Sequence, residues 1–559
     1  MKSFFPYLLG AIFFFVAIIL TDATFWADTP DYVTSVIAFE QGKNVYFWEF
    51  GHLFWRPLGW LFWHQSNASD DSAFWRNQIT FVFQLLSYCA GFVSTLTLIG
   101  ILQKLKLSLW VIAVAAGSLV FSHAFLNFTQ TGTSYVPALM FYLLALFFSL
   151  REAATTIADN NLLNPILSGV CVAFALCFWM PFLWTLPAMI CTPFLINNFN
   201  RSKITASVYQ IGAFLLVIGL SYGMVLTILH VESLGELRTW ITASSHGNDT
   251  RGVLRMVFGL ARSFVNMGND GMMFKRFLLH DPYNPVSILT LIGGSLWKLA
   301  LFYGLAGAIL FLLWRNASGR KILLLLLIAA VPLLIFAILF DGGAVERYLP
   351  FYPFALIALA VALQSSKLNL LRFAMLIILA IFAATNLSAL STWALVEQQN
   401  KMAARLELLE TKAGSKDTIL LVNWTDDLIN FNRSFPFNSV NSRVNARLNS
   451  IVTQGSEQTK TWREEFAARC FLAWENNQNV WLSSRALSEK PKADWNWAEG
   501  DDKNVSWHEF LEFFGKLEFG EKLGDENGFM LVLPSAANKS FLQAYGDKFK
   551  EQIYFVDEN

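Results

Sequence analysis

The chain has 559 residues, of which 55% are hydrophobic, 15% aromatic and 15% charged, and its mean hydropathy is +0.44. Soluble chains carry about 25% charged residues, so this composition excludes an ordinary soluble enzyme. The 41 basic and 41 acidic side chains cancel, which leaves no charge signature for nucleic acid. The balance hides a split. From Val396 onward there are 19 Lys+Arg and 25 Asp+Glu in 164 residues, against 22 and 16 in the first 395. The second density is that of a membrane-embedded segment and the first that of a globular one, so two domains are expected, residues 1–395 and 396–559.

In chain order, apolar runs long enough to span a bilayer fall near residues 4–20, 78–102, 108–122, 134–150, 164–180, 182–196, 205–229, 286–314, 322–340, 348–364 and 373–395. The first reads as an uncleaved transmembrane helix, because Thr21-Asp22-Ala23-Thr24 is a poor cleavage site. Pro137, Pro181 and Pro187 soften the boundaries of the short spans. The fold class expected is an α-helical polytopic membrane protein of about eleven helices with a C-terminal α/β domain outside the membrane.

Short-loop basic residues set the orientation. With the N-terminus cytoplasmic, the inner loops hold Lys2, Lys104, Lys106, Arg151, Arg201, Lys203, Arg315, Arg320, Lys321, Lys367 and Arg372. The much longer opposite loops hold fewer, so a multi-pass protein of the cell inner membrane is expected, with residues 21–77, 231–285 and the C-terminal domain on the periplasmic face. All seven histidines fall in or beside those outer segments.

The tail alternates. A helix at Glu397–Thr411 leads to a strand at Thr418–Asn423. A helix at Thr461–Trp474 precedes a strand at Val480–Ser483, and one at Trp507–Lys516 precedes Phe529–Leu533.

The first outer loop places Asp22, Asp28 and Asp31 close behind the first span. Pro30 starts a helix over Asp31–Gln41 with Thr29 as its N-cap, leaving Asp28 one residue earlier with a free carboxylate. Asp28 and Asp31 are therefore the candidate catalytic bases, a carboxylate at a water–lipid boundary being tunable by burial and charge; capping and helix-dipole roles are the alternative for both. Further along, Glu49-Phe50-Gly51-His52-Leu53-Phe54-Trp55-Arg56-Pro57-Leu58 sets a histidine and an arginine in an aromatic stretch. Arg56 and His52 are candidates for gripping a lipid phosphate at headgroup level. The second long loop adds Arg251 and Arg255, which with Arg262 share one helical face.

These residues resemble a family. An Asp-x-x-x-Tyr helix start after the first span, a basic-Pro-Leu element about 25 residues on, and Glu346-Arg347-Tyr348-Leu349-Pro350-Phe351-Tyr352-Pro353 entering a late span are similar to the GT-C glycosyltransferases. The likeness is to the aminoarabinose transferases of lipid A and the protein O-mannosyltransferases. It implies an inverting transfer of a sugar from a polyprenyl-phosphate carrier to a glycan, lipid or protein acceptor, with the loop-one aspartate as base or acceptor-orienting group. It also implies phosphate binding at the basic-Pro element and at Arg347. Thr29 stands where the aminoarabinose transferases have an acidic residue, and His123–Ser134 holds none. No metal site or cofactor is therefore expected, although a divalent metal remains chemically compatible. Two other readings stand beside this one: a polysaccharide polymerase or ligase using a lipid-pyrophosphate oligosaccharide and the arginine-rich second loop, and a transporter or flippase of lipid-linked sugars.

Overall fold

The computed structural model describes residues 4–24, 27–43, 46–65, 72–154, 162–196, 201–244, 252–267, 270–280, 285–392, 404, 408, 412–413, 417–422, 448–451, 462–487, 507–524 and 528–546. The chain divides into two compact units, Met1–Met267 with Leu296–Ala394, and Gly268–Ser295 with Leu395–Asn559.

Helices dominate the chain up to residue 392: α1 (Phe5–Leu20), α2 (Thr29–Glu40), α3 (Trp55–Gln65), α4 (Ser72–Lys104), α5 (Leu109–Val120), α6 (His123–Thr131), α7 (Tyr135–Ala154), α8 (Leu163–Phe178), α9 (Leu186–Ile196), α10 (Arg201–Ile228), α11 (Leu234–Ala243), α12 (Val253–Phe264), α13 (Asp270–Leu279), α14 (Ile288–Leu291), α15 (Trp297–Arg315), α16 (Ala317–Leu339), α17 (Tyr352–Ser365) and α18 (Asn369–Ala389). Three 3-10 segments, Phe50–His52, Met180–Thr185 and Val345–Phe351, join them. Among the described residues six helices are long and apolar enough to cross a membrane: Gln78–Lys104, Lys203–Ile228, Ile288–Arg315, Ala317–Leu339, Val345–Ser365 and Asn369–Ala389. The pair α5 and α6, bent by 57°, qualifies together, and the shorter apolar helices Phe5–Leu20, Tyr135–Leu150, Leu163–Phe178 and Met180–Ile196 fall on the remaining expected spans.

The bend at Phe121–Ser122 is where structure and periodicity part. The sequence reads as a span ending near residue 122, but the chain continues into α6, every residue of which from Ala124 to Thr131 is buried. Buried polar side chains need partners, and α6 supplies them. Asn127 Oδ1 accepts from the Thr24 amide at 3.0 Å, and Gln130 Nε2 donates to Thr21 Oγ1 at 3.1 Å. Gly132 then turns the chain at φ +79°, a conformation L side chains avoid, and a Cβ there would stand 2.8 Å from that of Phe83.

The second unit contains a five-stranded sheet in the order β2-β1-β3-β5-β4. Its strands are β1 (Thr418–Val422), β2 (Leu448–Ile451), β3 (Val480–Ser483), β4 (Phe519–Leu523) and β5 (Phe529–Val532), with α19 (Trp462–Glu475), α20 (Trp507–Gly515) and α21 (Ala536–Gly546). β1 pairs in parallel with β2 and β3, whereas β5 runs antiparallel to β3 and β4. Phe466, Cys470, Phe513, Phe514, Val532 and Leu542 build the core between helices and sheet. The expected strands at 418, 480 and 529 are present; β2, β4 and α21 are additions, and the expected helix at Glu397–Thr411 lies outside the described residues apart from Ala404 and Leu408.

Candidate active site

α2 begins two residues earlier than the expected Asp31. Thr29 is its first residue and Asp28 occupies the cap position without capping. The Thr29 hydroxyl is taken instead by the Thr131 carbonyl at 2.7 Å, which ties the start of α2 to the end of α6. The Asp28 carboxylate is thus spared for other partners. Tyr135, at the start of α7, donates its hydroxyl to Asp28 Oδ2 at 2.5 Å, and Tyr32, one turn along α2, donates to the same oxygen at 3.3 Å. Two phenols on one oxygen orient the carboxylate. The Asp28 side chain is 35% exposed, so it remains open to a reactant.

His52 stands behind this pair. Its Nε2 lies 3.9 Å from Asp28 Oδ2, while Nδ1 lies 2.7 Å from Ser134 Oγ and 3.0 Å from the Phe178 carbonyl. A carbonyl only accepts, so Nδ1 carries the proton and Nε2 presents its lone pair. Burial disfavours the imidazolium and lowers the His52 pKa below its usual value; the carboxylates of Glu49 and Asp28 pull it the other way less strongly. His52 is therefore a neutral neighbour of Asp28.

Arg56 does not reach out as a free cation. Only 2% exposed, it is ion-paired with the equally buried Glu49, and its guanidinium lies 4.7 Å from the centroid of the Tyr32 ring. The expectation that Arg56 and His52 present positive charge to a phosphate gives way here to a buried pair and a neutral imidazole, both packed around Tyr32. Burial, with the charge of Asp28 adding to it, holds the Tyr32 phenol well above its ordinary pKa and hence protonated as a donor.

Asp31 is exposed in the first turn of α2. Arg251 lies outside the described residues. Arg255 is half-buried on α12, a helix fastened to the turn before Arg347. There the Tyr348 hydroxyl donates to Gly342 O at 2.7 Å and contacts Met256 O at 3.1 Å. The backbones approach so closely that a Cβ at Gly259 would stand 1.9 Å from Gly342 O.

Arg347 caps an aromatic stack. Its guanidinium lies 5.0 Å and 5.7 Å from the rings of Phe340 and Phe336, and Phe336 stacks on Trp184 at 5.0 Å. Trp184, Leu186, Pro187, Ile190 and Pro332 line an apolar groove of about 580 Å³ between α9 and α16. The Arg347 Nε is buried and has no hydrogen-bond partner among the described residues. The adjoining Glu346 acts electrostatically on both Asp28 and Tyr135, so the Val345–Phe351 turn faces the Asp28 cluster.

Sequence reasoning singled out Asp28 and set Tyr32 beside it in the Asp-x-x-x-Tyr element, but not Tyr135 or Ser134. The one-turn spacing of Asp28 and Tyr32 was the signal; nothing in Gly132-Thr133-Ser134-Tyr135 announces that Tyr135 meets Asp28. Among the described residues no group of three or more His, Cys, Asp or Glu side chains is placed to hold a metal ion.

No protein-family model matches the chain, and no curated protein matches it in sequence. Among solved structures the chain is similar over 96% of its length to ArnT from Cupriavidus metallidurans in the apo state, covering 98% of that chain at 12% identity with a TM-score of 0.49. The same protein bound to undecaprenyl phosphate gives a TM-score of 0.47 at 11% identity, over 96% of this chain and 98% of that one. The Archaeoglobus fulgidus oligosaccharyltransferase gives 0.48 at 12% identity, over 97% of this chain and 78% of that one.

Proposed function

We propose that the protein is a membrane glycosyltransferase of the GT-C type that moves a sugar from a polyprenyl-phosphate carrier to an acceptor, inverting the anomeric centre. The observation that carries this reading is Asp28, a carboxylate held by two phenols at one oxygen, with a third of its side chain open. In the reaction the acceptor hydroxyl attacks the anomeric carbon as the bond to the carrier phosphate breaks. Asp28 takes the hydroxyl proton through its free oxygen, and the phosphate leaves with the bonding electrons. Tyr32 and Tyr135 position the base and leave it little freedom to rotate.

Arg347 is the donor-phosphate residue of this reading. An orphaned, buried guanidinium N–H calls for an acceptor, and a phosphate oxygen supplies one in the bidentate geometry arginine favours. The apolar groove below its aromatic stack suits the isoprenoid chain. Arg255, on the helix fastened beside this turn, is the second cation of the proposed phosphate site, and Arg251 and Asp31 are assigned no part in the chemistry. Arg56 and His52 support Tyr32 and Asp28 and do not touch phosphate. The orientation proposed is N-terminus cytoplasmic and residues 396–559 periplasmic in an inner membrane, from the basic-residue bias. A reporter fused after Asn559 that is active only outside the cytoplasm tests it.

Purified protein supplied with polyprenyl-phosphate sugars tests the reading by mass spectrometry. Consumption of donor by the native chain and its loss in Asp28→Asn support it; native protein that consumes no donor with lipid, glycan or peptide acceptors overturns it.

A further inference from the structure

His52 is only 6% exposed and is held from several elements at once. Ser134, just before α7, and the Phe178 carbonyl, at the end of α8, contact its Nδ1, and the Tyr32 hydroxyl of α2 lies 3.4 Å from the same atom. The rings of Tyr32 and Tyr135 flank the imidazole, with centroids 5.5 Å and 6.1 Å away. Among the described residues the charged groups that face it are Glu49 from its own segment, Asp28 from α2 and Arg56 from α3. The imidazole is therefore fixed in both orientation and tautomer: the Nδ1 proton is directed at Phe178 O, and Nε2 looks toward Asp28.

Nε2 makes no hydrogen bond among the described residues and lies 3.9 Å from Asp28 Oδ2. With His52 neutral both atoms are acceptors, so nothing draws them together. Oδ2 already takes the Tyr135 and Tyr32 hydroxyls, which leaves the other carboxylate oxygen for a reactant. A proton enters this ring at Nε2 alone, because Nδ1 carries one already. That single event turns two facing acceptors into a cationic N–H donor and an anionic acceptor, the shorter and stronger class of hydrogen bond. A closure of about 1 Å completes it.

We propose that His52 is a positioning residue that switches Asp28 between a free base and an ion-paired one, the switch being a single proton at Nε2. Neutral, His52 leaves Asp28 ready for the acceptor proton; protonated, it closes on Oδ2 and ties the carboxylate up, so transfer slows in acid. One solvent proton forms the Nε2–H bond, and no bond of either substrate changes. The effect on transfer rests on the proposed transferase reading; the coupling of Asp28 to His52 does not. Burial sets where the switch works. It disfavours the imidazolium and so keeps Asp28 free near neutral pH, while Glu49 and Asp28, opposed by Arg56, favour the cation and allow it to form on the acid side of the ordinary 6.5. His64 supplies a contrast at the far end of α2, where its Nδ1 lies 3.6 Å from Glu40 Oε1 in a pair open to solvent.

The test uses the full-length protein with isotope-labelled histidine, the His52 resonance being the one lost in His52→Asn. Its titration midpoint is expected to fall in Asp28→Asn, because a carboxylate that favours the imidazolium is gone; a midpoint that Asp28→Asn leaves in place overturns the coupling. Turnover of a polyprenyl-phosphate sugar is then measured well below Tm at about pH 5 and about pH 7.5, and the acid-to-neutral ratio of kcat is expected to be about tenfold higher in His52→Asn than in the native chain. Asparagine keeps a donor for Phe178 O and cannot titrate. Ser134→Ala, which keeps the imidazole but removes an acceptor that steadies its cation, raises the ratio by less and carries the test should His52→Asn fail to fold. His64→Asn keeps the native ratio. Equal ratios in the native chain and in the folded His52 or Ser134 variant overturn the switch. If the native chain consumes no donor, the transferase reading fails and the histidine titration still decides the coupling.

Discussion

The hydroxyl of Tyr135 and the carboxylate of Asp28 lie 2.5 Å apart although 107 residues separate them in the chain. One end of this contact is set by α2, whose first residue is held by α6, and the other by α7, which follows α6 after three residues. Whatever moves α6 therefore moves both halves of the contact together.

Asp28→Asn is expected to lower turnover about 100-fold or more with donor affinity nearly intact, since it removes a base and keeps the shape. Tyr135→Phe should lower kcat by a smaller factor and leave KM for donor unchanged. Steady-state kinetics on the two variants checks both; wild-type turnover in Asp28→Asn would move the base elsewhere.

Arg347→Ala is expected to weaken donor binding by about 1.5–3 kcal/mol, the scale of a hydrogen bond to a charged group. Lysine restores part of this, because a point charge recovers attraction without bidentate geometry. Some thermal stability is lost as well, since the interactions given up are with the Phe336 and Phe340 rings and with the adjoining Glu346 carboxylate. A large drop in melting temperature with normal donor affinity would make Arg347 an anchor of its turn.

Glu49→Gln and Arg56→Met should each destabilise the protein by about 3–5 kcal/mol, because each strands one buried charge. The double variant Glu49→Leu with Arg56→Met should recover much of the loss, and Tm of the three proteins side by side is the measurement. Additive losses in the double variant would show that the two side chains act independently.

His52 gives the stability a pH dependence of definite sign. Its folded pKa lies below the ordinary 6.5 because burial disfavours the charged ring. Protonation thus favours the unfolded chain. The contribution is full above about 6.5 and is lost as pH falls towards and through the folded value. Tm should fall on acidification below that point, and His52→Asn should flatten this part of the profile. A native Tm that rises on acidification there would contradict the sign.

Gly259→Ala should detach α12 from the turn before Arg347, as the new methyl group meets Gly342 O. Gly117→Ala is the control, since its Cβ meets nothing closer than Phe13 at 3.5 Å. Equal Tm values for the two variants would refute the close approach.

The spans were legible because bilayer thickness imposes a length and a polarity that a window along the sequence detects. The place of Asp28 beside a helix start was legible because Pro30 marks that start. The surroundings of Asp28 were not. Tyr135, Ser134 and the Phe178 carbonyl meet it or His52 only through tertiary packing, and α6, buried yet rich in Asn, Thr and Gln, breaks the rule that polar segments lie outside. Arg56 misled for a related reason: its partner Glu49, seven residues earlier and outside α3, sits in an aromatic stretch that reads as a membrane belt. In the tail, β4 was missed because its burial pattern places three exposed residues in a row, Gly520, Glu521 and Lys522.

Between α6 and the Ser134–Tyr135 pair, four consecutive carbonyl oxygens are held by side chains from other helices. Gln84 Nε2 reaches Gln130 O at 2.8 Å, Thr29 Oγ1 reaches Thr131 O at 2.7 Å, Trp55 Nε1 reaches Gly132 O at 3.1 Å, and Ser87 Oγ reaches Thr133 O at 3.1 Å. The segment is gripped by its peptide groups, which every amino acid shares. In a collection of diverged sequences, the four donors that hold this stretch, scattered over α2, α3 and α4, should therefore stay fixed as a set.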